Sequence, residues 1–198
     1  MEILHQINQY RIILGSRSPR RRDLLKELGI QFEIAHINDQ DENYPPDMKK
    51  EEIPVFLAQY KSNRFLKYLD PKTILITADT IVWIDNEVLG KPVDAGEAEK
   101  ILNRLSGRAH QVLTGVCIKS GQKESVFCVC SDVYFRKLDQ EEINYYITRY
   151  KPYDKAGAYG IQEWIGYVGI ERIEGSYYNV MGLPTQRLFI ELGKFIQP

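Results

Sequence analysis

Strand-like and helix-like patterns alternate along the whole of this 198-residue chain, with no repeat, low-complexity tract or linker between them. That alternation limits the fold to α/β or α+β. Ile12, Ile13 and Leu14 read as a short buried strand, Ser18 as a helix N-cap, and Pro19 as the first helical residue, where its missing N–H costs nothing. Leu24, Leu25 and Leu28 give that helix an apolar face, and Gly29 ends it. A strand over Phe32–Ile37 is expected next, then an acidic, proline-containing loop from Asn38 to about Lys50 of the kind that is often functional. Ile53, Phe56, Leu57 and Tyr60 form the buried stripe of a helix closed by Asp70-Pro71. The most apolar stretch, Thr73–Ile84, follows. Asp94 and Glu97 start a further helix in capping-box fashion, with Ala98, Ile101, Leu102 and Leu105 on its inner face. Strands at about Gln111–Lys119 and Ser125–Arg136 are joined through Ser120-Gly121-Gln122, and Asp139 with Glu142 caps a helix carrying Ile143, Tyr146, Ile147 and Tyr150. A last helix is predicted over Leu183–Phe195. With 43% hydrophobic residues, a chain of this length can bury about 70% of its unfolded surface. A single domain, 1–198, with a cleft between two lobes, is the expected organisation.

Charge and cysteine usage narrow the function classes. A net charge of -1, with basic residues dispersed apart from one cluster, gives no general reason to expect nucleic-acid or membrane partners. Met1–Tyr10 is polar, without the basic start and apolar run of a leader, and no stretch approaches the length needed to span a bilayer. Three cysteines, Cys117, Cys128 and Cys130, are an odd number set in strand-like segments. They argue against a disulfide framework and for a reduced, cytoplasmic setting. Cys128 and Cys130 share one strand face, but no matching His or Cys cluster completes a zinc site.

The one basic cluster sits at the helix start Gly15-Ser16-Arg17-Ser18-Pro19-Arg20-Arg21-Arg22. A strand running through a tight turn into a helix presents free N–H groups and a positive dipole end, which suit phosphate oxygens, and arginine adds forked donors. The same arginines also fit a merely solvated helix end. Asp79 is the second anomaly, lying between Ile74-Leu75-Ile76 and Ile81-Val82-Trp83-Ile84. A carboxylate there is costly unless paired, hydrogen-bonded or metal-bound; a turn in which it accepts from local N–H groups is the alternative. Glu42, Lys61 and Lys91 are further candidates, each of a type that is usually solvated surface. His110 follows Ser106-Gly107 and titrates in the range of a base, but a structural hydrogen bond is the reading preferred.

Taken together these segments resemble the Maf family of nucleotide pyrophosphatases over nearly the whole chain. The matching pieces are Ser16-Arg17-Ser18-Pro19-Arg20-Arg21 with Leu24-Leu25, Asp41-Glu42, Leu57-Ala58 with Lys61, Ala78-Asp79-Thr80-Ile81-Val82 and Gly90-Lys91-Pro92. They continue in order through Leu105-Ser106-Gly107 with His110 and Val112, the run Asp154–Gln162, and the run Gly175–Pro184. Lys61-Ser62 departs from the alanine expected after that lysine.

The resemblance implies a Maf/ITPase-like fold, a twisted mixed sheet flanked by helices with two lobes around a central cleft. It implies hydrolysis of a nucleoside triphosphate between the α and β phosphates, with a divalent cation, Mg2+ or Mn2+. Asp79 is then the proton acceptor and, with Glu42, the metal ligand, while Ser16, Arg20, Arg21, Lys61 and Lys91 hold the phosphates. Ala78-Asp79-Thr80 with Arg20 and Gln162 resembles the dTTP/UTP branch rather than the branch acting on 7-methyl-GTP. Gln162 offers a donor and an acceptor to the amide edge of uracil or thymine, with Thr80 bonding or packing beside it. A homodimer is also suggested by the family. Alternatives from other classes are a nucleotide-binding regulator of cell division and a nucleic-acid binder; kinase-like transfer is disfavoured because no Gly-x-x-x-x-Gly-Lys-Ser/Thr loop is present.

Overall fold

The computed structural model describes residues 2–35, 43–65 and 69–197. In chain order the elements are α1 (Glu2–Ile7), β1 (Arg11–Gly15), α2 (Pro19–Glu27), β2 (Glu33–Ala35), α3 (Glu52–Asn63), β3 (Thr73–Ile84), β4 (Glu87–Leu89) and α4 (Ala95–Leu105). They continue with β5 (Ala109–Lys119), β6 (Glu124–Phe135), α5 (Gln140–Tyr150), a 3-10 turn (Ala156–Ala158), α6 (Trp164–Gly169), β7 (Ile170–Glu174), α7 (Tyr177–Val180) and α8 (Thr185–Phe195). Among the described residues seven strands form one mixed sheet in the order β2-β1-β3-β5-β6-β7, with β4 paired to β3. The fold is thus mixed α/β, as the alternation of patterns requires.

The chain forms two compact units. The first comprises 1–79, 114–129 and 182–198. Its β1 runs parallel to both β2 and β3, with Ile12 opposite Ile74 and Leu14 opposite Ile76. Parallel strands are buried on both faces, which is why they read as continuous aliphatic runs. Helix α3 approaches the sheet so closely that a Cβ on Gly115 would stand 2.2 Å from the Pro54 carbonyl carbon; only glycine fits at that crossing. The second unit comprises 80–113 and 130–181. There α4 and α5 lay Ile101, Leu102, Leu105, Ile143, Tyr146 and Ile147 into a core shared with Val133, Phe135 and Ile165. The predicted caps are present: Asp94 accepts from the Glu97 N–H, and Asp139 and Glu142 form a reciprocal capping box.

Several local expectations are corrected. Tyr60 is exposed, and the buried face of α3 runs instead through Pro54, Leu57, Ala58 and Lys61, a helical i, i+3, i+4, i+7 stripe that ends on a charged residue because that residue has a partner. The helix stops at Asn63, short of Asp70-Pro71. The polar start Glu2–Ile7 is helical: Gly193 of α8 leaves room for Ile3 and Gly29 for Leu4, so docking supplies what local pattern lacks. The short β4, α6, β7 and α7 carry too few residues for periodicity to reveal.

Candidate active site

The first unit brings four of the expected residues into one connected arrangement. Strand β1 ends at Gly15 and the chain turns through Ser16, which is buried and whose Oγ accepts the Ser18 N–H at 3.2 Å. Ser18 caps α2 by accepting the Arg21 N–H, and Pro19 occupies the first turn. Arg21 reaches away from its helix: Nε donates to the Gly182 carbonyl at 2.7 Å and Nη1 to the Ala78 carbonyl at 2.8 Å. The guanidinium therefore ties the helix start to the peptide immediately before Asp79.

Asp79 lies inside β3, not in a turn, and only 6% of its surface is exposed. Its partner is Lys61, whose Nζ donates to Oδ1 at 2.5 Å; Lys61 is itself 7% exposed. The register of this pair is set one step earlier, where Thr77 Oγ1 donates to the Ala58 carbonyl at 2.7 Å. Thr77 and Asp79 share a strand face, and Ala58 and Lys61 lie one helical turn apart. Fixing the first contact brings the second into reach. Burying two charges costs several kcal/mol per ion, offset only by a close, well-formed pair. Arg20 is half-buried in α2. Glu42 lies outside the described residues.

The second unit carries the other candidates. Thr80, the residue after Asp79, is half-buried, and Lys91 is exposed beside buried Pro92. Gln162 is half-buried, and its Oε1, like Thr73 Oγ1, His110 Nδ1 and Asn179 Oδ1, is a buried polar atom without a hydrogen-bond partner among the described residues. An orphaned acceptor of that kind costs about 1–3 kcal/mol. His110 is part of the core: Nε2 lies 2.7 Å from the Tyr159 hydroxyl, the ring packs edge-on against Tyr159, and burial pushes its pKa down to about 3. A group neutral throughout the physiological range and turned into the core is structural, as expected. Burial likewise pushes the Cys117 thiol up to about 11, and none of the three cysteines is in a disulfide among the described residues.

The Maf-like protein model matches residues 11–195. The chain belongs to the Maf family. A protein of Parabacteroides distasonis named dTTP/UTP pyrophosphatase is 52% identical over 193 residues, covering 98% of this chain and 100% of that one. Proteins of the same name from Porphyromonas gingivalis (strain W83) and Bacteroides fragilis (strain YCH46) are 50% and 48% identical, covering 98% and 96% of this chain and 98% of each relative. Among solved structures, a HAM1 protein from Coxiella burnetii overlays with a TM-score of 0.42 at 14% identity, over 66% of this chain and 75% of that one, too loose a likeness to carry weight.

Sequence reasoning assigns no role to Tyr146, Lys155 or Glu163. Lys155 is nevertheless 7% exposed and Tyr146 fully buried. Their traces in the sequence are Tyr146's place among the stripe residues of its helix and Lys155's place inside the matching run Asp154–Gln162; nothing local predicts that a lysine and a glutamate meet there.

No helix among the described residues is long and apolar enough to cross a membrane.

Proposed function

We propose that this chain is a nucleoside triphosphate pyrophosphatase that hydrolyses dTTP and UTP between the α and β phosphates, releasing the monophosphate and pyrophosphate. The observation that carries the chemistry is the buried Lys61–Asp79 pair on the strand whose preceding peptide Arg21 clamps. The choice of pyrimidine substrates is supported by the name shared by relatives about half identical over nearly their full length.

A triphosphate brought beside an unpaired carboxylate is repelled by roughly 4 kcal/mol per charge pair at 4 Å and an effective dielectric near 20. Lys61 offsets that repulsion in advance and fixes the Asp79 carboxylate through Oδ1. In this reading Asp79 takes the proton of the water that attacks the α phosphorus, with the second carboxylate oxygen as the accepting atom. Ser16, Arg20, Arg21, Lys61 and Lys91 hold the phosphates and neutralise the charge that develops on departing pyrophosphate. Arg21 adds its charge to that field while its carbonyl bonds hold the Ala78–Asp79 peptide in place. Thr80 and Gln162 act on the base: the orphaned Gln162 Oε1 accepts the N3–H of uracil or thymine, and its amide donates to O4.

The donor chemistry fits a divalent cation, because Asp79 offers a hard carboxylate oxygen and Mg2+ or Mn2+ takes one or two carboxylates together with phosphate oxygens. Asp79 and Glu42 would hold it. When bound it supplies charge neutralisation and a lower pKa for coordinated water. A cytoplasmic setting, supported by the odd number of cysteines set in strands, and a homodimer, supported by the family resemblance, belong to the same reading.

The test is incubation of the pure protein with a triphosphate panel and Mg2+ or Mn2+, separating pyrophosphate from orthophosphate. UTP and dTTP should yield pyrophosphate, with ATP and GTP poor substrates. Orthophosphate as first product, or comparable turnover of all four, overturns the assignment.

A further inference from the structure

The turn that carries Gln162 is stapled at both ends by a single hydroxyl. The Glu163 N–H donates to the Gly160 carbonyl at 2.9 Å, closing a turn with Ile161 and Gln162 at its centre. At one end the Gly160 N–H donates to Tyr146 Oη at 2.9 Å. At the other, the same Tyr146 hydroxyl donates to Oε2 of Glu163. Oε1 of Glu163 accepts from Lys155 Nζ at 3.1 Å, and Lys155 is held in turn by Asp154 at 2.7 Å.

The supports of this staple are rigid. Tyr146 is wholly buried in α5, its ring stacked on Tyr150 with centroids 5.1 Å apart. Ile161, beside Gln162, is 6% exposed and packs in the same core. A Cβ at Gly160 would stand 2.8 Å from Glu163 Cδ and 3.1 Å from Lys155 Cε, so any side chain there would push the ends of the staple aside. A pair between a buried lysine and a half-buried glutamate is a poor source of net stability, since desolvation offsets its attraction. Its worth lies in what it orients: a turn closed at both ends fixes the backbone from which the Gln162 acceptor is presented, and a recognition group is only as selective as its support is rigid.

We propose that Tyr146, Glu163 and Lys155 are positioning residues that set base selectivity by fixing the Gln162 turn. The inference rests on the reading of Gln162 as the group that meets the pyrimidine edge. UTP and CTP are the discriminating probes, because CTP presents an amino donor where UTP has O4 and a bare N3 where UTP has N–H.

The experiment compares kcat and KM for UTP and CTP, with melting curves, in the wild type, Tyr146→Phe and Glu163→Gln. Tyr146→Phe keeps the ring and removes only the staple; Glu163→Gln keeps the shape and removes the charge. Each variant should narrow the UTP-to-CTP ratio of kcat/KM by about tenfold, chiefly through a higher KM for UTP, because a misplaced polar group no longer rejects the wrong edge. A merely structural role would lower both substrates alike. An unchanged ratio in the two variants, whether or not overall activity falls, overturns the inference while leaving the base reading intact. A wild type that cleaves UTP and CTP equally removes the base reading itself, and this inference with it.

Discussion

Replacing Lys61 by methionine removes one charge of the buried pair while keeping the length of the side chain. At the observed separation of 2.5 Å the attraction amounts to roughly 7 kcal/mol at an effective dielectric near 20. Desolvation of the two ions opposes it by several kcal/mol each, so the pair as a whole contributes little net stability. The single substitution is different, because it leaves Asp79, 6% exposed, as an uncompensated buried charge. That costs about 3–5 kcal/mol, and for a chain of 198 residues each kcal/mol lowers Tm by about 2–4 °C. A drop of roughly 6–20 °C is therefore expected in calorimetry at neutral pH. Adding Asp79→Asn removes the stranded charge and should restore at least half of the loss, leaving the double variant more stable than Lys61→Met. A single-variant cost below about 1 kcal/mol, or a double variant no more stable than Lys61→Met, refutes the reasoning: the carboxylate would then be solvated or paired elsewhere.

Asp79→Asn alone should lower pyrophosphate release by about 10²–10⁴-fold while nucleotide binding, read by calorimetry, persists; loss of both together would make Asp79 a binding group. His110 has its pKa lowered to about 3 by burial against about 6.5 unfolded, so its contribution to stability is present above pH 6.5 and is lost as pH falls toward 3, by up to about 1.4 kcal/mol per pH unit. His110→Gln should accordingly show a shallower decline in denaturation midpoint between these values, and parallel profiles contradict that. Cys117, buried with its pKa raised to about 11, should resist a thiol reagent at pH 8 until the chain unfolds, whereas exposed Cys130 reacts in the native protein; labelling followed by mass spectrometry distinguishes them. Gly115→Ala forces a Cβ against the Pro54 backbone and should destabilise the first unit by more than about 2 kcal/mol, measured by urea unfolding.

Much of this protein could be read from its sequence because the signals are local. Ser18, Asp94 and Asp139 accept from N–H groups within one helical turn, so a cap is decided by residues three apart. The aliphatic runs of β1 and β3 mark buried strands whatever their neighbours are, and the anomaly of Asp79 is visible because burial of a carboxylate is costly anywhere. The identity of its partner is not visible in the same way. Lys61 on an isolated helix reads as solvated surface, and Tyr60 as core; the reverse holds because Thr77 bonds the Ala58 carbonyl and turns that face of α3 onto the strand. Arg21 reads as a phosphate ligand, and its bonds to two carbonyls 57 and 161 residues away are a further contact that no local pattern predicts. The contact among Tyr146, Lys155 and Glu163 gave no signal, since a hydroxyl that staples a turn 14 residues distant has no periodicity. The sequence by itself determined the fold class, the family and the residue types at the site, because these follow from local pattern and chemistry. Which charges pair, which arginine is occupied and what holds Gln162 were decided only by the tertiary structure, because side-chain pairing across elements depends on distance in space and not along the chain.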